Sequence, residues 1–444
     1  MIITCFDIKS GYKYSVLVLV ALGVQTVILS YYNYYEVKTN KIRDTLQQHI
    51  QASSLIRGEY RVVYNFKSHL NTSEKLLQND VTLVTQCSVN NLYHLIETLQ
   101  LWKGPISVAL FVPGSSIIHA ELAIKFIKQC FPLRKVQFHL VYPEHHTPTF
   151  DGNNLEIWVG LLFANDRLRC KDLFETLSSI EGENYATWGI PYPQNTLRNV
   201  AKLAVQTEYL IVLDIDVMPS YGLRENFLEK VLRNRGRNKT AETKIAYIPP
   251  AFELKINEQM PENKALLLTA WKSNQIRPFH YETCPSCHKP ARYDEWKAIS
   301  TNLNLGIAYE AEWQPSWEPF YIAHTSHTPD YDERFKQYGY DRISQNCELR
   351  LCGFTFVVMA NSFVVHKGFK ERGKFHHEKE VENKRNFNLF QNVFIPEMTK
   401  KYSSSGVDCL DSGRRKGKAK ITFRQHFNKN TKEKLLRNGD QVEL

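Results

Sequence analysis

The stretch Glu208-Tyr-Leu-Ile-Val-Leu-Asp-Ile-Asp-Val-Met-Pro-Ser-Tyr221 decides how the chain is read. Tyr209 to Leu213 is a continuous apolar run, the pattern of a buried strand. It stops abruptly at Asp214-Ile215-Asp216. Side chains alternate along a strand, so both carboxylates are expected on one side at its exit. Two carboxylates held together repel unless a cation sits between them. Oxygen ligands suit Mg²⁺ or Mn²⁺, cations that often carry a nucleotide's phosphates. The same triplet also fits a solvated strand end, so the decision rests on its surroundings.

Toward the N-terminus, strands alternate with helices. Val81-Thr-Leu-Val-Thr reads as a strand. Asn91 to Trp102 carries Leu92, Leu95, Ile96 and Leu99 on one helical face and is stopped by Gly104-Pro105. Ile106 to Val112 is a second strand, Ile118 to Cys130 a second helix and Val136 to Val141 a third strand. This alternation predicts an α/β fold with a parallel, doubly wound sheet, and a nucleotide site beyond the carboxyl ends of its strands. The glycine-rich fingerprints of dinucleotide and P-loop proteins are absent, so any phosphates need another holder. A metal on Asp214 and Asp216 is the available one. Just before the decisive strand, Asn195 is expected to cap a helix with Leu197, Val200, Leu203 and Ala204 on its apolar face. Arg198 lies in its first turns, where a cation opposes the macrodipole unless an anion is near. Asn195 and Arg198 are therefore candidates for the donor side.

Beyond the triplet, Leu223 to Arg233 reads as a helix, Ile245 to Ile248 as a strand and Glu262 to Asn274 as a helix. His280-Tyr-Glu-Thr-Cys-Pro-Ser-Cys-His288 holds one Cys-x-x-Cys flanked by histidines. It reads as a disulfide, with a zinc site completed by His280 and His288 as the alternative. Trp313 and Trp317 mark an aromatic loop suited either to packing or to stacking on sugar rings. Tyr331 to Lys370 is rich in acids: Asp332, Glu333, Asp341 and Glu348. Ile343, Cys347 and Leu351 form a helix face, and Phe354 to Met359 and Ser362 to Phe369 are strands. His366 stands where it could complete a metal's coordination, and Lys367 where it could neutralise phosphate.

The chain has 444 residues, 43% hydrophobic and 12% aromatic, enough for a proper core in one large or two ordinary domains. Its formal charge is +10, with pI near 9.0. No zinc-finger spacing or ribonucleoprotein motif accompanies that charge, so nucleic acid is not the expected partner. Tyr14 to Tyr32 is almost wholly apolar. As a helix it spans roughly 28 Å, enough for a bilayer core, and Tyr31, Tyr32, Tyr34 and Tyr35 form an aromatic belt. An uncleaved signal anchor over 14–35 is expected, with 1–13 ahead of it and a polar stem over 36–80 behind. Asn71 and Asn238 open N-glycosylation sequons. Nine cysteines are present; Cys5 precedes the anchor and the other eight are an even number, compatible with disulfides. The basic segment 403–444 reads as a solvated extension.

Seven stretches in order resemble the metal-dependent nucleotide-sugar glycosyltransferases with a Rossmann-like GT-A domain. Within these they are most similar to the family of β-1,4-glucuronyltransferase 1 and the second catalytic domain of the LARGE enzymes. They are Tyr192-Pro-Gln-Asn-Thr-Leu-Arg-Asn-Val-Ala, Leu213-Asp-Ile-Asp-Val-Met-Pro-Ser, Ile248-Pro-Pro-Ala-Phe-Glu, Trp317-Glu-Pro-Phe-Tyr, Asp332-Glu-Arg-Phe-Lys-Gln-Tyr-Gly, Ile343-Ser-Gln-Asn-Cys-Glu-Leu and Val365-His-Lys-Gly-Phe-Lys. The likeness covers about 81–402 and implies a type II Golgi membrane protein with its catalytic domain lumenal. It implies a UDP-glucuronic acid donor, Mn²⁺ as cofactor, and a xylose-ending glycan on a glycoprotein as acceptor, with a homodimer left open. In that reading Asp214, Asp216 and His366 hold the metal, and Asp214 also reaches the ribose. Asp332 is the first candidate for the base that deprotonates the acceptor, with Asp341 and Glu348 behind it. Arg334 or Lys367 pairs with the donor's carboxylate. Another UDP-sugar, such as UDP-xylose or UDP-N-acetylglucosamine, or a catalytically silent glycan-binding protein, are the rival readings. A phosphatase with an aspartyl nucleophile is disfavoured, because Met218 stands where a Thr would be expected.

Overall fold

The computed structural model describes residues 8–67, 79–131, 135–149, 170–180, 189–232, 244–301, 306–371 and 377–410. The sequons at Asn71 and Asn238 lie outside them. In chain order the strands are β1 (Ser54–Arg57), β2 (Tyr60–Val63), β3 (Val81–Ser88), β4 (Ile106–Phe111), β5 (Val136–Pro143), β6 (Tyr209–Val212), β7 (Val217–Pro219), β8 (Ile245–Ile248), β9 (Ala251–Leu254), β10 (Ile276–Pro278), β11 (Ile307–Ala311), β12 (Ile322–His324), β13 (Thr355–Met359) and β14 (Val364–Lys367).

Ten of them form one mixed sheet in the order β1-β2-β5-β4-β3-β6-β12-β8-β13-β11. Its centre, β5-β4-β3-β6, is parallel, with Leu83 opposite both Ile106 and Ile211. The alternation expected of a strand covered on both faces is visible residue by residue. Leu83, Val108, Leu110 and Ile211 face the helix Ser116–Cys130 and its core. Val84, Ala109, Leu210 and Val212 face Leu197, Val200 and Ala201 of the helix Gln194–Leu203. The doubly wound expectation holds for this centre and not beyond it. β12 runs antiparallel to β6 and β8, and the edges β1 and β11 are antiparallel too. A second sheet, β10-β9-β14-β7, was not foreseen, and it is the one that shapes the site.

The helix expected from Asn91 begins as a 3₁₀ turn over Val89–His94 and becomes α-helical at Leu95–Leu101. Trp313 and Trp317 are buried and packed on Phe356, so the aromatic loop is core and offers no stacking platform. The folded unit is wider than expected at both ends. Within the 36–80 segment, Leu46, Ile50 and Phe66 are buried, and β2 pairs with β5. Past residue 402, Cys409 is disulfide-bonded to Cys347, and Trp313 Nε1 donates to the Cys409 carbonyl at 3.0 Å. Among the described residues Cys130–Cys170 and Cys284–Cys287 are the other disulfides, and Cys87 and Cys352 are free thiols.

The segment expected to cross a membrane lies inside a 46-residue helix, Ile8–Ser53. Among the described residues no helix is long and apolar enough to cross a membrane. Those described between Val18 and Tyr34 leave Val20, Leu22, Val24, Val27, Ile28 and Leu29 exposed.

Candidate active site at the Asp214–Asp216 turn

β6 ends at Val212, and the triplet falls in a turn closed by Val217 N donating to Asp214 O at 2.9 Å. Strand alternation therefore no longer applies, and the two carboxylates face different partners. Asp214 is held by two guanidinium groups: Arg198 donates to Oδ1 at 2.8 Å and Arg342 to Oδ2 at 2.5 Å. Burial alone would raise its pKa, but Arg342 and Arg198 together hold it well below the ordinary carboxylate range. Arg198 is itself buried and makes a second ion pair, with Asp341 at 2.6 Å. Those two anions answer the question of why a cation stands near this helix start.

Asn195 does not cap the helix. Pro193 takes the cap position, its carbonyl accepting from Leu197 N at 3.0 Å. Asn195 lies inside the first turn and is fully buried. It accepts from Arg198 at 2.8 Å and donates to the Asp332 carbonyl at 2.8 Å, so it positions Arg198 rather than opening a helix end.

Asp216 meets His366 instead. β7 and β14 pair antiparallel with Val217 opposite His366, and this register brings Asp216 Oδ2 to 3.3 Å from His366 Nε2. His366 Nδ1 lies 2.9 Å from the Gly368 carbonyl, which can only accept, so Nδ1 carries the proton. When the imidazole is neutral, Nε2 turns a lone pair toward the Asp216 oxygen; when it is protonated, Nε2 donates to that oxygen. Two acceptors at 3.3 Å require a proton or a cation between them. Burial raises the Asp216 pKa, but the hydrogen bond and charge of His366 more than offset this and leave it lowered. The donor set, one partly exposed carboxylate and one imidazole, is one that a divalent cation could take.

The remaining residues proposed from sequence are already paired. Asp332 forms a fork with Arg334, whose other side binds Glu397 at 2.6 Å. Lys367 pairs with Glu97 on the helix Leu95–Leu101. Glu348 stands at the far end of the helix Asp341–Leu351 from Asp341 and bonds Lys401 at 2.7 Å and the Tyr402 hydroxyl at 2.8 Å. Sequence reasoning missed Glu318, although it stands in the quoted Trp317-Glu-Pro-Phe-Tyr. Its half-buried carboxylate adjoins His280 and His288, with a ligand-capable atom of each within 4.8 Å of the others. Burial, with Asp341 and Asp214 adding to it and Arg342 and Lys370 opposing, pushes its pKa up to about 7. The signal was an acid set among Trp317, Pro319 and Phe320, where burial is the rule. The zinc alternative through Cys284 and Cys287 is excluded by their disulfide.

A buried arginine thus braces one acid of the turn, and an imidazole faces the other. The chain belongs to the family described as "Glycosyl-transferase for dystroglycan", whose model matches residues 80–403. It is 36% identical over 364 residues to the Danio rerio protein β-1,4-glucuronyltransferase 1, covering 79% of this chain and 82% of that one. It is 37% identical to the Homo sapiens protein of the same name, with the same coverage, over 358 residues. Similarity extends to Homo sapiens xylosyl- and glucuronyltransferase LARGE1, 28% identical over 65% of this chain and 31% of that one.

Proposed function

We propose that this chain is an inverting glucuronyltransferase with a GT-A type domain, moving glucuronic acid from UDP-glucuronic acid to a xylose-ending glycan in β linkage. The observation that carries the reading is the Asp216–His366 pair, a carboxylate and an imidazole 3.3 Å apart that could share a cation, within a glycosyltransferase-family domain. Asp216 and His366 would hold Mn²⁺. Asp214, with both oxygens engaged by arginines, supports the turn and keeps its remaining lone pairs for the ribose and the metal. A cation held there would supply charge to neutralise the diphosphate leaving group.

An α-linked donor giving a β-linked product needs a single in-line displacement. The acceptor hydroxyl oxygen attacks C1 and the C1–O bond to the diphosphate breaks, its electron pair leaving on UDP. The hydroxyl proton goes to a carboxylate. Asp332, Asp341 and Glu348 each form an ion pair with a cation of the chain, whereas Glu318 forms none among the described residues, and its raised pKa suits a base near neutral pH. Glu318 is therefore assigned that role.

The exposed apolar surface of the Ile8–Ser53 helix, together with the apolar run from Tyr14, supports a membrane anchor, and the family resemblance supports its type II orientation and a lumenal, Golgi-resident catalytic domain. The test is Mn²⁺-dependent transfer from a panel of UDP-sugars to a xylose-ending acceptor. Transfer from UDP-glucuronic acid above the others is expected; equal use of UDP-xylose or UDP-N-acetylglucosamine would overturn the donor assignment.

A further inference from the structure

Glu253, in β9, is fully buried, and its carboxylate ties two loops to one point. Oε1 accepts from the His280 backbone N–H at 2.8 Å, and Oε2 from the Lys370 backbone N–H at 3.1 Å and Arg277 Nε at 2.9 Å. The Cys284–Cys287 disulfide closes the first loop, and the Arg277 guanidinium lies 4.0 Å from the Phe369 ring centroid in the second. His280, His288 and Lys370 are thereby fixed beside Glu318 and Arg342. His280 is committed at Nδ1 to Thr283 Oγ1 at 2.7 Å, and His288 Nε2 is buried with no hydrogen-bond partner. His280, His288 and Glu318 thus form a partly buried polar cluster, and His288 Nε2 is the atom of it left without a partner.

His280, His288 and Glu318 have the composition of a metal site, but the charge around them is wrong for one. Burial, with Lys370 and Arg342 adding to it, holds both imidazoles neutral, pushed down to about 2 for His280 and about 3 for His288. Arg342 is already paired with Asp214, so Lys370 is the cation that decides: a dication placed beside it is repelled and an anion is drawn in. Lys370 supplies the available charge. Its Nζ lies 4.7 Å from the Phe279 ring centroid and has no ion-pair partner among the described residues, and its charge is felt at Asp216. Arg334 and Lys367, the cations expected from sequence to bind the donor's carboxylate, are both spent on carboxylates of the chain.

We propose that this cluster is the subsite for the carboxylate of the donor sugar, read by Lys370 Nζ with His288 Nε2 as a second contact and Glu253 as the positioning residue. The proposal rests on the glucuronyl reading given above. A uronic acid differs from its parent hexose only in bearing a carboxylate where the hexose has a hydroxymethyl group, and an ammonium in a partly desolvated cluster distinguishes the two.

The test is calorimetric binding of UDP-glucuronic acid and UDP-glucose to the full chain in Mn²⁺. The wild type is expected to favour the uronate. Lys370→Ala should lower that preference roughly 10–100-fold by weakening the uronate alone. Lys370→Arg should keep most of it, and Lys370→Glu should reverse it. Equal loss of both donors in Lys370→Ala, or an unchanged ratio, would overturn the role of Lys370. A wild type without preference for the uronate would overturn the donor reading itself, before any substitution is considered.

Discussion

Asp216 and His366, 150 positions apart in the chain, stand 3.3 Å apart because the short strands β7 and β14 pair with Val217 opposite His366. The contact joins an oxygen and a nitrogen that are both acceptors when the imidazole is neutral. That relationship makes the site depend on what occupies the gap.

Manganese binding should therefore fail when either partner is removed. Electron paramagnetic resonance of free Mn²⁺ is expected to show at least a tenfold weaker affinity in Asp216→Asn and in His366→Ala, within the roughly 10–100-fold range of altered metal sites. Unchanged affinity in both would place the cation elsewhere.

The assigned base makes a pH prediction with a definite sign. Glu318 accepts a proton only when ionised, so kcat/KM should rise with pH through about 7 and level off above it. Glu318→Gln should lose roughly 10²–10⁴-fold in transfer while still binding UDP. The same raised pKa acts on folding. Its stabilising contribution is fully present below the ordinary glutamate value near 4.3 and is lost as pH rises through about 7. Glu318→Gln is thus expected to be inactive yet no less stable than the wild type at pH 8, as read by urea denaturation.

Arg198 is buried between Asp214 and Asp341, and removing it strands two acids at once. Arg198→Met should destabilise the fold by about 3–5 kcal/mol, the usual loss when one partner of a buried pair is deleted. Denaturant titration measures this; a loss under 1 kcal/mol would show the network to be solvated.

Asp332 offers a contrast. Its carboxylate faces Arg334, which Glu397 also holds. Asp332→Asn should leave transfer within roughly fivefold of wild type, far short of what a lost general base costs. A loss of several hundredfold would return the catalytic role to Asp332.

Cys409 carries the last prediction. Its bridge to Cys347 spans 62 positions and fastens the chain end against Trp313. Ending the chain after Tyr402 should cost about 2–4 kcal/mol, visible as a lower Tm. An unchanged Tm would mean that the segment after Tyr402 adds nothing to the fold.

The central sheet was legible because its strands are buried on both faces and interrupted by Gly and Pro; Val81, Ile106, Val136 and Tyr209 all open strands where the apolar runs begin. The second sheet was not, because β7 and β10 are three residues each, too short for any period to register. The site divides in the same way. Asp216 and His366 could be named from residue type and strand position. The pairing of Asp332 with Arg334, of Lys367 with Glu97 and of Arg198 with two acids could not, since each depends on which side chains meet across separate elements. Asn195 was misread as a cap because Asn favours that position, whereas Pro193, two residues earlier, supplies the carbonyl that opens the helix. Glu318 passed unnoticed since a lone acid carries no pattern; only its burial distinguishes it.

The hairpin β1–β2 and the buried Leu46 and Ile50 bear on how the enzyme would be mounted. A helix that runs from the aromatic belt into the catalytic core leaves no slack tether between them. The ten residues from Glu36 to Thr45 rise about 15 Å as a helix, so in an anchored protein the bilayer and the sheet edge are separated by a rigid post. In an anchored protein such a post would set a fixed working height above the lipid surface. Acceptor glycans would be met at that height, and lengthening the post by whole helical turns would raise the reaction plane by about 5 Å each.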